Sequence, residues 1–262
     1  MAYVMVTVAA LGAALLTLFS GFGLGTLLLP VFAIFFPLDV AVAATAVVHL
    51  LNNIFKVTLL GRFARRAVVL RFGIPAAFCS LLGAWILTHL SHTTALAAYR
   101  LGQTPHQVTP LGLVLGGLIA FFAILELLPS VERLRFASRY LPLGGAISGF
   151  FGGVSGHQGA LRAAFLAKSG LDRDGFLGTS VICAVIVDCA RLTVYGLSFY
   201  GRHLDTVLGR GGPSLLATAT LAAFAGSFAG TRLVRKVTLR GLQRFIGIML
   251  LVLSAAIGSG LI

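Results

Sequence analysis

Apolar runs of membrane-spanning length follow one another along almost the whole chain, and the first charged residue is Asp39. Hydrophobic residues make up 58% of the 262 positions and charged residues only 10%. Because so little polar surface cannot enclose a water-soluble core, the chain must be solvated by lipid. The runs are continuous, not alternating, and this indicates helices whose backbone amides are paired within each segment. We therefore predict an all-α polytopic membrane protein.

About ten apolar segments can be separated along the chain. At about 20 residues for each crossing, they leave almost nothing for a water-soluble domain. We place them at 2–19, 21–36, 41–60, 73–90, 108–129, 140–154, 157–170, 177–200, 213–231 and 241–262.

The formal charge of +13 is carried mostly by short loops beside the predicted segment ends. Such a distribution signals topology first, because cytoplasmic loops are enriched in Lys and Arg. No domain remains that would bind nucleic acid. We predict that both termini lie outside, with loops 91–107 and 201–212. The basic loops 61–72, 130–139, 168–174 and 232–240 are predicted to lie in the cytoplasm.

The two halves of the chain resemble each other at a fixed offset of 135 positions. Without a gap, residues 20–61 superpose on residues 155–196, and polar residues meet polar residues. Each half contains an odd number of segments, so the second half begins on the opposite side of the membrane and forms an inverted repeat. Inverted repeats are typical of transporters. We predict one membrane unit made of repeats 1–135 and 136–262.

Two glycine-rich stretches, 20–25 and 149–159, interrupt the apolar pattern at corresponding places in the halves. Glycine at this density breaks a helix. The flanking arms, at about 1.5 Å per residue, are short for a hydrocarbon core of about 30 Å. We therefore predict two helical hairpins whose tips stop inside the membrane and face each other. The alternative is that the glycines only allow close helix packing.

The tips are also the predicted substrate site. Irregular backbone at membrane depth persists only where protein or a water-filled cavity covers it. Helix amino termini there direct amide groups and a partial positive charge at the cavity, which favours an anion. The predicted substrate-binding residues are Ser20, Gly21, Gly23 and Thr26 at the first tip, and Ser155, Gly156, His157 and Gln158 at the second.

Arg162 follows the second tip within an apolar stretch. A charge at that depth is costly unless it faces protein or water. Its planar fork suits an oxyanion, while the alternatives are that it reaches the interface or pairs with a carboxylate. We include it among the substrate-binding candidates.

A second pair of charges lies inside segment 177–200, where Asp188 and Arg191 share one helical face. The repeat places Asn53 and Lys56 at the equivalent positions. These four residues are the predicted coupling or gating group, in which Asp188 carries a proton or serves as a gate. The structural alternative is a simple ion pair within the helix. His49 is expected to hydrogen-bond to a neighbouring helix.

Four motifs are Gly149-Phe-Phe-Gly-Gly-Val-Ser-Gly-His-Gln-Gly-Ala-Leu-Arg162, Gly178-Thr-Ser180, Asp188-Cys-Ala-Arg191 and Ser20-Gly-Phe-Gly-Leu-Gly25. With these motifs the sequence resembles the TauE/SafE family of sulfite and organosulfonate exporters, and the resemblance covers nearly the whole chain. It implies a secondary carrier that exports small sulfur-containing or carboxylate anions. His157 and Gln158 add side chains where many relatives keep glycine, so the substrate need not be the usual one.

These observations favour a proton-coupled anion carrier that uses alternating access around a midplane site in the plasma (inner) membrane. A passive anion channel and a non-transporting membrane scaffold are the alternatives. An enzyme is disfavoured, because the sequence contains no His-Glu-x-x-His motif, no Gly-x-Ser-x-Gly motif and no paired intramembrane aspartates. We expect no cofactor and no metal. The expected partners are a small anion and the lipid bilayer, and a homo-oligomer is left open.

Overall fold

The structure is a computed structural model that describes residues 1–20, 24–128, 135–199, 211–233 and 240–262. Within these ranges lie ten α-helices, and the chain is an all-α polytopic membrane protein as predicted. The helices are α1 (Ala2–Ser20), α2 (Leu24–Ala33), α3 (Leu38–Leu60), α4 (Arg66–Leu90), α5 (Pro110–Leu127), α6 (Leu141–Ser155), α7 (Gly159–Leu166), α8 (Arg173–Phe199), α9 (Gly212–Leu233) and α10 (Arg240–Ser259).

The helices differ in how far they reach through a bilayer. By length and composition, α3, α4, α8 and α9 can each cross a membrane, and shorter apolar helices accompany them. Helix α7 has only 8 residues, or about 12 Å at the usual rise, less than half of a hydrocarbon core of about 30 Å. The predicted segment 157–170 extends beyond its helix, which ends at Leu166. A helix of this length is too short to span the membrane.

The loop predicted at 91–107 contains a β-hairpin, which the sequence analysis missed. Strand β1 (Ala97–Leu101) pairs antiparallel with β2 (Thr104–Val108), and Leu101 is opposite Thr104. Gly102 has a φ of 63° in the two-residue turn. Tyr99 donates to the Ser259 carbonyl at 2.9 Å, so the hairpin is anchored to the end of α10. The hairpin adds a cap to the helical fold without changing its class.

Helices α3 and α8, which occupy equivalent positions in the predicted repeats, pack antiparallel to each other. Asn53 contacts Asp188 in their middle sections. Farther along α3, Leu60 lies beside Gly178, which is nearer the start of α8, and a Cβ there would clash with the Leu60 carbonyl. Equivalent helices that run in opposite directions are what an inverted repeat requires.

The other helix pairs follow the same symmetry. Helix α6 packs parallel to α4, and helix α1 packs parallel to α9. The offset of 135 residues relates α1 to α6 and α4 to α9, so the two pairs are equivalent. Helix α5 packs against α10 in the antiparallel sense, because Gly112 lies beside Ile257 while Gly247 lies beside Leu127. The arrangement agrees with two inverted halves, and the boundary between 135 and 136 stays a prediction.

Glycines 145, 149 and 153 are spaced by four residues and line the face of α6 that meets α4. A Cβ on each would clash with the backbone carbonyl of Phe72, Ala76 or Ser80, respectively. These glycines lie inside a continuous helix. The prediction that the whole glycine-rich stretch breaks the helix is wrong for this part, because close helix packing needs the missing side chains.

The three described basic loops lie together at one end of the molecule. The Arg65 amide donates to Thr179 Oγ1 at 3.0 Å, and Ser138 donates to the Lys168 carbonyl at 2.7 Å. Helix α4 leads from this end to the β-hairpin, so the hairpin caps the opposite end. This grouping is what the topology prediction needs. Which end is cytoplasmic stays a prediction.

Candidate anion-binding site

The second predicted tip is formed by a sharp turn between α6 and α7. Gly156 has a φ of 82° and ends α6 in the left-handed conformation, which favours glycine. A Cβ at this position would also lie 2.9 Å from Nη1 of Arg191. Helix α7 begins at Gly159, and no side chain caps its amino terminus. The break predicted in this half therefore falls at residues 156–158.

This tip touches the first half of the chain. A Cβ built on Gly25 would lie 3.6 Å from the carbonyl oxygen of Gly156 and 3.6 Å from Cγ2 of Thr45. Thr26 is buried next to this contact. The predicted Gly21 and Gly23 lie outside the described residues, and Ser20 is the last residue of α1, with a side chain that is not among those described. The structure thus joins the second tip to α2 and α3.

Asp188 is the centre of a fully buried hydrogen-bond network. Its Oδ1 accepts from Nη2 of Arg191 at 2.7 Å, from Nε of the same arginine at 3.0 Å and from Nε2 of Gln158 at 3.3 Å. Its Oδ2 contacts Nδ1 of His49 at 2.6 Å and accepts from Nδ2 of Asn53 at 3.1 Å. The carboxylate therefore connects α3, α8 and the turn before α7. The expected partner of His49 on a neighbouring helix is confirmed as Asp188.

Gln158 links this network to Arg162. Nη1 of Arg162 donates to Oε1 of Gln158 at 2.9 Å, and its Nε donates to Ser180 at 2.8 Å. Ser148 Oγ donates to the Gln158 carbonyl at 3.0 Å. Arg162 thus contacts neutral side chains and, within the described part of the chain, makes no ion pair. The alternative that it pairs with a carboxylate is wrong for those residues, since none of their carboxylates contacts the guanidinium.

The cluster carries an excess of positive charge. Among the described residues, Asp188 is its carboxylate, whereas Arg191, Arg162 and Lys56 are its basic side chains, and Lys56 lies on the same helix as His49. Asp188, Arg191 and Lys56 are buried and Arg162 is half-buried. Lys56 and Arg162 are close enough to repel each other. Buried charge of one sign is costly unless an opposite charge balances it, so the arrangement favours a bound anion.

Within the part of the chain that the structure describes, three buried side-chain polar atoms have no hydrogen-bond partner. They are Oγ1 of Thr45, Nδ2 of Asn52 and Nε2 of His157. The His157 ring stacks on Phe122 with centroids 5.3 Å apart, and its Nδ1 contacts Ser155 Oγ at 3.0 Å, so its orientation is fixed while Nε2 stays open. Because buried polar groups are normally paired, each of these atoms is a candidate contact for a ligand.

Three polar residues that α3 contributes to the site, Thr45, His49 and Asn52, were not among the predicted site residues. The polar residues Thr45, His49, Asn52, Asn53 and Lys56 lie on one face of α3, most of them three or four positions apart. That spacing was readable in the sequence as a polar stripe in a membrane segment. Only the last two of these residues were among the predicted site residues, and they entered through the repeat.

Metal ligands do not gather in the described ranges, where no group of three His, Cys, Asp or Glu side chains is close enough to hold an ion.

Two pockets lie at the ends of the molecule. One, of about 310 Å³, is lined by Arg135, Asp172 and Arg173. The other, of about 380 Å³, lies under the β-hairpin beside Pro105 and Ile257. Neither is lined by residues of the buried network.

An inverted helical bundle with a charged network where its halves meet defines a polytopic membrane protein of the transporter class. The family model "Sulfite exporter TauE/SafE" matches residues 6–257, nearly the whole chain. The chain belongs to the TauE/SafE family, a family of membrane transporters for sulfite and related sulfur anions and not an enzyme class. Searches of curated proteins and of solved structures found no significant match.

Proposed function

We propose that this protein is a secondary carrier that exports a small sulfur-containing or carboxylate anion across the plasma (inner) membrane. The observation that carries the proposal is the buried network of the described residues, in which one carboxylate, Asp188, is linked to two arginines, to Arg191 directly and to Arg162 through Gln158. In a low-dielectric setting an anion between them would neutralise charge that Asp188 leaves unbalanced. The anion is the substrate, and the proposed site lies where the second tip meets α2 and α3.

Donors from both halves are available for that anion. Thr45 and Thr26 come from the first half, and His157 and Gln158 from the second. The uncapped first turn of α7 adds backbone amides and the positive end of its dipole. Arg191 and Arg162 supply the charge, with planar forks that suit oxyanions. A desolvated anion needs several such donors, because each replaces a hydrogen bond to water.

The same network supports alternating access. Asp188 accepts hydrogen bonds from Arg191, Asn53 and Gln158. These bonds hold α3, α8 and the turn before α7 in a closed arrangement around the site. An anion that competes for Arg191 would weaken this closure. We propose that Asp188, Arg191, Asn53 and Lys56 form the gate and that the halves rock about it.

Proton coupling is the remaining part of the proposal. Asp188 contacts His49 at 2.6 Å, and histidine is the side chain that most readily changes charge near neutral pH. A proton bound in this network changes the net charge that the anion meets. The proton gradient then contributes to the direction of anion movement.

Purified protein in liposomes tests the proposed function. A carrier gives saturable sulfite flux that unlabelled sulfite on the opposite side accelerates. A passive channel would instead conduct current without that acceleration, and a scaffold would do neither. A thermal-shift screen with sulfite, sulfate, thiosulfate, sulfoacetate, oxalate and lactate identifies the anion, because a ligand that binds only the folded state raises the melting temperature. No shift with any of them and no sulfite flux would contradict the proposal.

A further inference from the structure

We propose that His49 is the proton-binding residue of the anion site and that anion binding draws a proton onto it. This inference rests on the proposed function and names the residue that couples proton and anion. The structure pairs His49 with Asp188 across two helices from opposite halves of the chain. Both members of this pair have atoms that bind protons, the carboxylate oxygens of Asp188 and the ring nitrogens of His49.

Asp188 has no free position for a proton. Its Oδ1 accepts three hydrogen bonds and its Oδ2 has two close nitrogen contacts. A carboxylate offers about four lone-pair positions, so a proton on either oxygen would displace a donor that is already in place. The donors that surround Asp188 therefore keep it in the carboxylate form.

The hydrogen atom in the 2.6 Å contact consequently belongs to Nδ1 of His49, which donates to Asp188. Asn53 Nδ2 is 3.1 Å from the same ring nitrogen, and it too is a donor, so its hydrogen goes to Asp188. A neutral imidazole that carries its hydrogen on Nδ1 has one basic nitrogen left, Nε2. The His49 side chain keeps 6% of its accessible surface, whereas that of Asp188 keeps none, so His49 is the more accessible member of the pair.

The charged groups around His49 explain why an anion would draw the proton in. Helix α8 contributes Asp188 and Arg191, α7 contributes Arg162, and α3 itself carries Lys56. Arg191 and Arg162 repel a positive charge on His49, whereas Asp188 attracts it. Helix α2 has no titratable residue, and Ser227 and Phe224 of α9, which contact Asn52 and Phe55 of α3, are neutral.

A bound anion would offset the repulsion from the cations and leave the attraction of Asp188 in place. The protonated ring is then stabilised only when the anion is present. By linkage, the proton strengthens anion binding by the same factor. Proton and anion thus bind together, in either direction of transport.

Isothermal titration calorimetry of full-length protein with thiosulfate tests this directly, since that anion keeps its charge between about pH 5 and 8. Titrations in two buffers of different ionisation enthalpy measure the protons exchanged. We expect the uptake to approach about one proton for each anion bound. Above the pH at which His49 loses its proton, the affinity for thiosulfate should fall by up to about tenfold per pH unit. Wild-type binding without proton uptake would overturn the inference and the proposed proton coupling, and would leave the proposed anion carrier intact.

Two substitutions assign the uptake to a residue. His49→Asn keeps an amide donor near Asp188 and removes the basic nitrogen, so we expect thiosulfate binding that is weaker and free of proton uptake. His89→Asn, at an exposed histidine stacked on Trp85, is the matched control and should retain it. His49→Gln serves as a second variant should the first fail to fold.

Three results would overturn the inference. Proton uptake that persists in both His49 variants is the first, and uptake lost in His157→Asn but kept in His49→Asn is the second. The third is wild-type protein that does not bind thiosulfate. If none of the six anions in the screen binds either, the failure is that of the proposed function.

Discussion

Asn53 donates a hydrogen bond to Asp188 at 3.1 Å, and the two residues are separated by the 135 positions that relate the two halves of the sequence. Residues that a two-fold relation exchanges can touch only near its axis. Each lies about 22 Å along its helix from the start, since α3 begins at Leu38 and α8 at Arg173. The contact therefore marks the centre of the bundle, where one half contributes an amide and the other a carboxylate.

The first prediction concerns the charge balance at this centre. Asp188→Asn removes the carboxylate that accepts from Arg191, so we expect a loss of about 3–5 kcal/mol in the free energy of unfolding. The added substitution Arg191→Gln should restore part of that loss, because no buried charge is then stranded. Asp174→Asn, at an exposed residue in the first turn of the same helix, is the control. Thermal unfolding in detergent measures all four proteins, and equal stability of the single and double variants would contradict the coupling.

The second prediction concerns the contact between α6 and α4. Gly153→Ala places a Cβ against the Ser80 carbonyl, so we expect a loss of about 1–3 kcal/mol in stability from overpacking. Gly117→Ala and Gly196→Ala are matched controls, since a Cβ at either position meets nothing within 4 Å. Alanine favours helix by about 1 kcal/mol over glycine, so the controls should be neutral or slightly stabilised. Three equal melting temperatures would remove the packing role of Gly153.

The third prediction concerns the donors at the second tip. His157→Ala and Gln158→Ala each remove a donor to a desolvated anion, which costs about 1.5–3 kcal/mol, or roughly tenfold to a hundredfold in affinity. Sulfite binding measured by titration calorimetry should weaken by this factor while the protein stays folded and inserted. Gln103→Ala, in the exposed hairpin turn, is the control. Unchanged affinity in both tip variants would exclude these side chains from the site.

The fourth prediction concerns orientation. In a variant without Cys79, Cys183 and Cys189, single cysteines at exposed positions 65 and 139 should react with an impermeant reagent only after the cells are opened. A cysteine at position 98, in the hairpin, should react in intact cells. The reverse pattern would invert the topology, and reaction of 65 and 139 from opposite sides would contradict the grouping of the basic loops.

The fold was largely predictable because apolar length and charge placement act locally along the chain. Segment 41–60 corresponds to α3 at 38–60, and segment 177–200 to α8 at 173–199. The hairpin in loop 91–107 was missed, since its strands are exposed and carry no core pattern. Its anchor, the Ser259 carbonyl at the far end of the chain, has no local signal.

The site was predictable in part. The repeat offset selected Asn53 and Lys56, and the glycine-rich stretch selected the tip at Gly156. The sequence did not show which glycines pack and which turn, because that depends on whether α4 lies alongside. It also did not join His49 to Asp188, since their contact crosses 139 positions and depends on how two helices face each other.

A structure determined with sulfite bound, or with selenite as an electron-dense analogue, tests the central claim most directly. The claim is that one anion site in the middle of the bundle is shared by both halves. We predict density for the anion within hydrogen-bond reach of Thr45 or Thr26 from the first half and of His157 or Gln158 from the second, with Arg191 or Arg162 beside it. Density only in the surface pocket lined by Arg135 and Arg173, or contacts with one half alone, would contradict it.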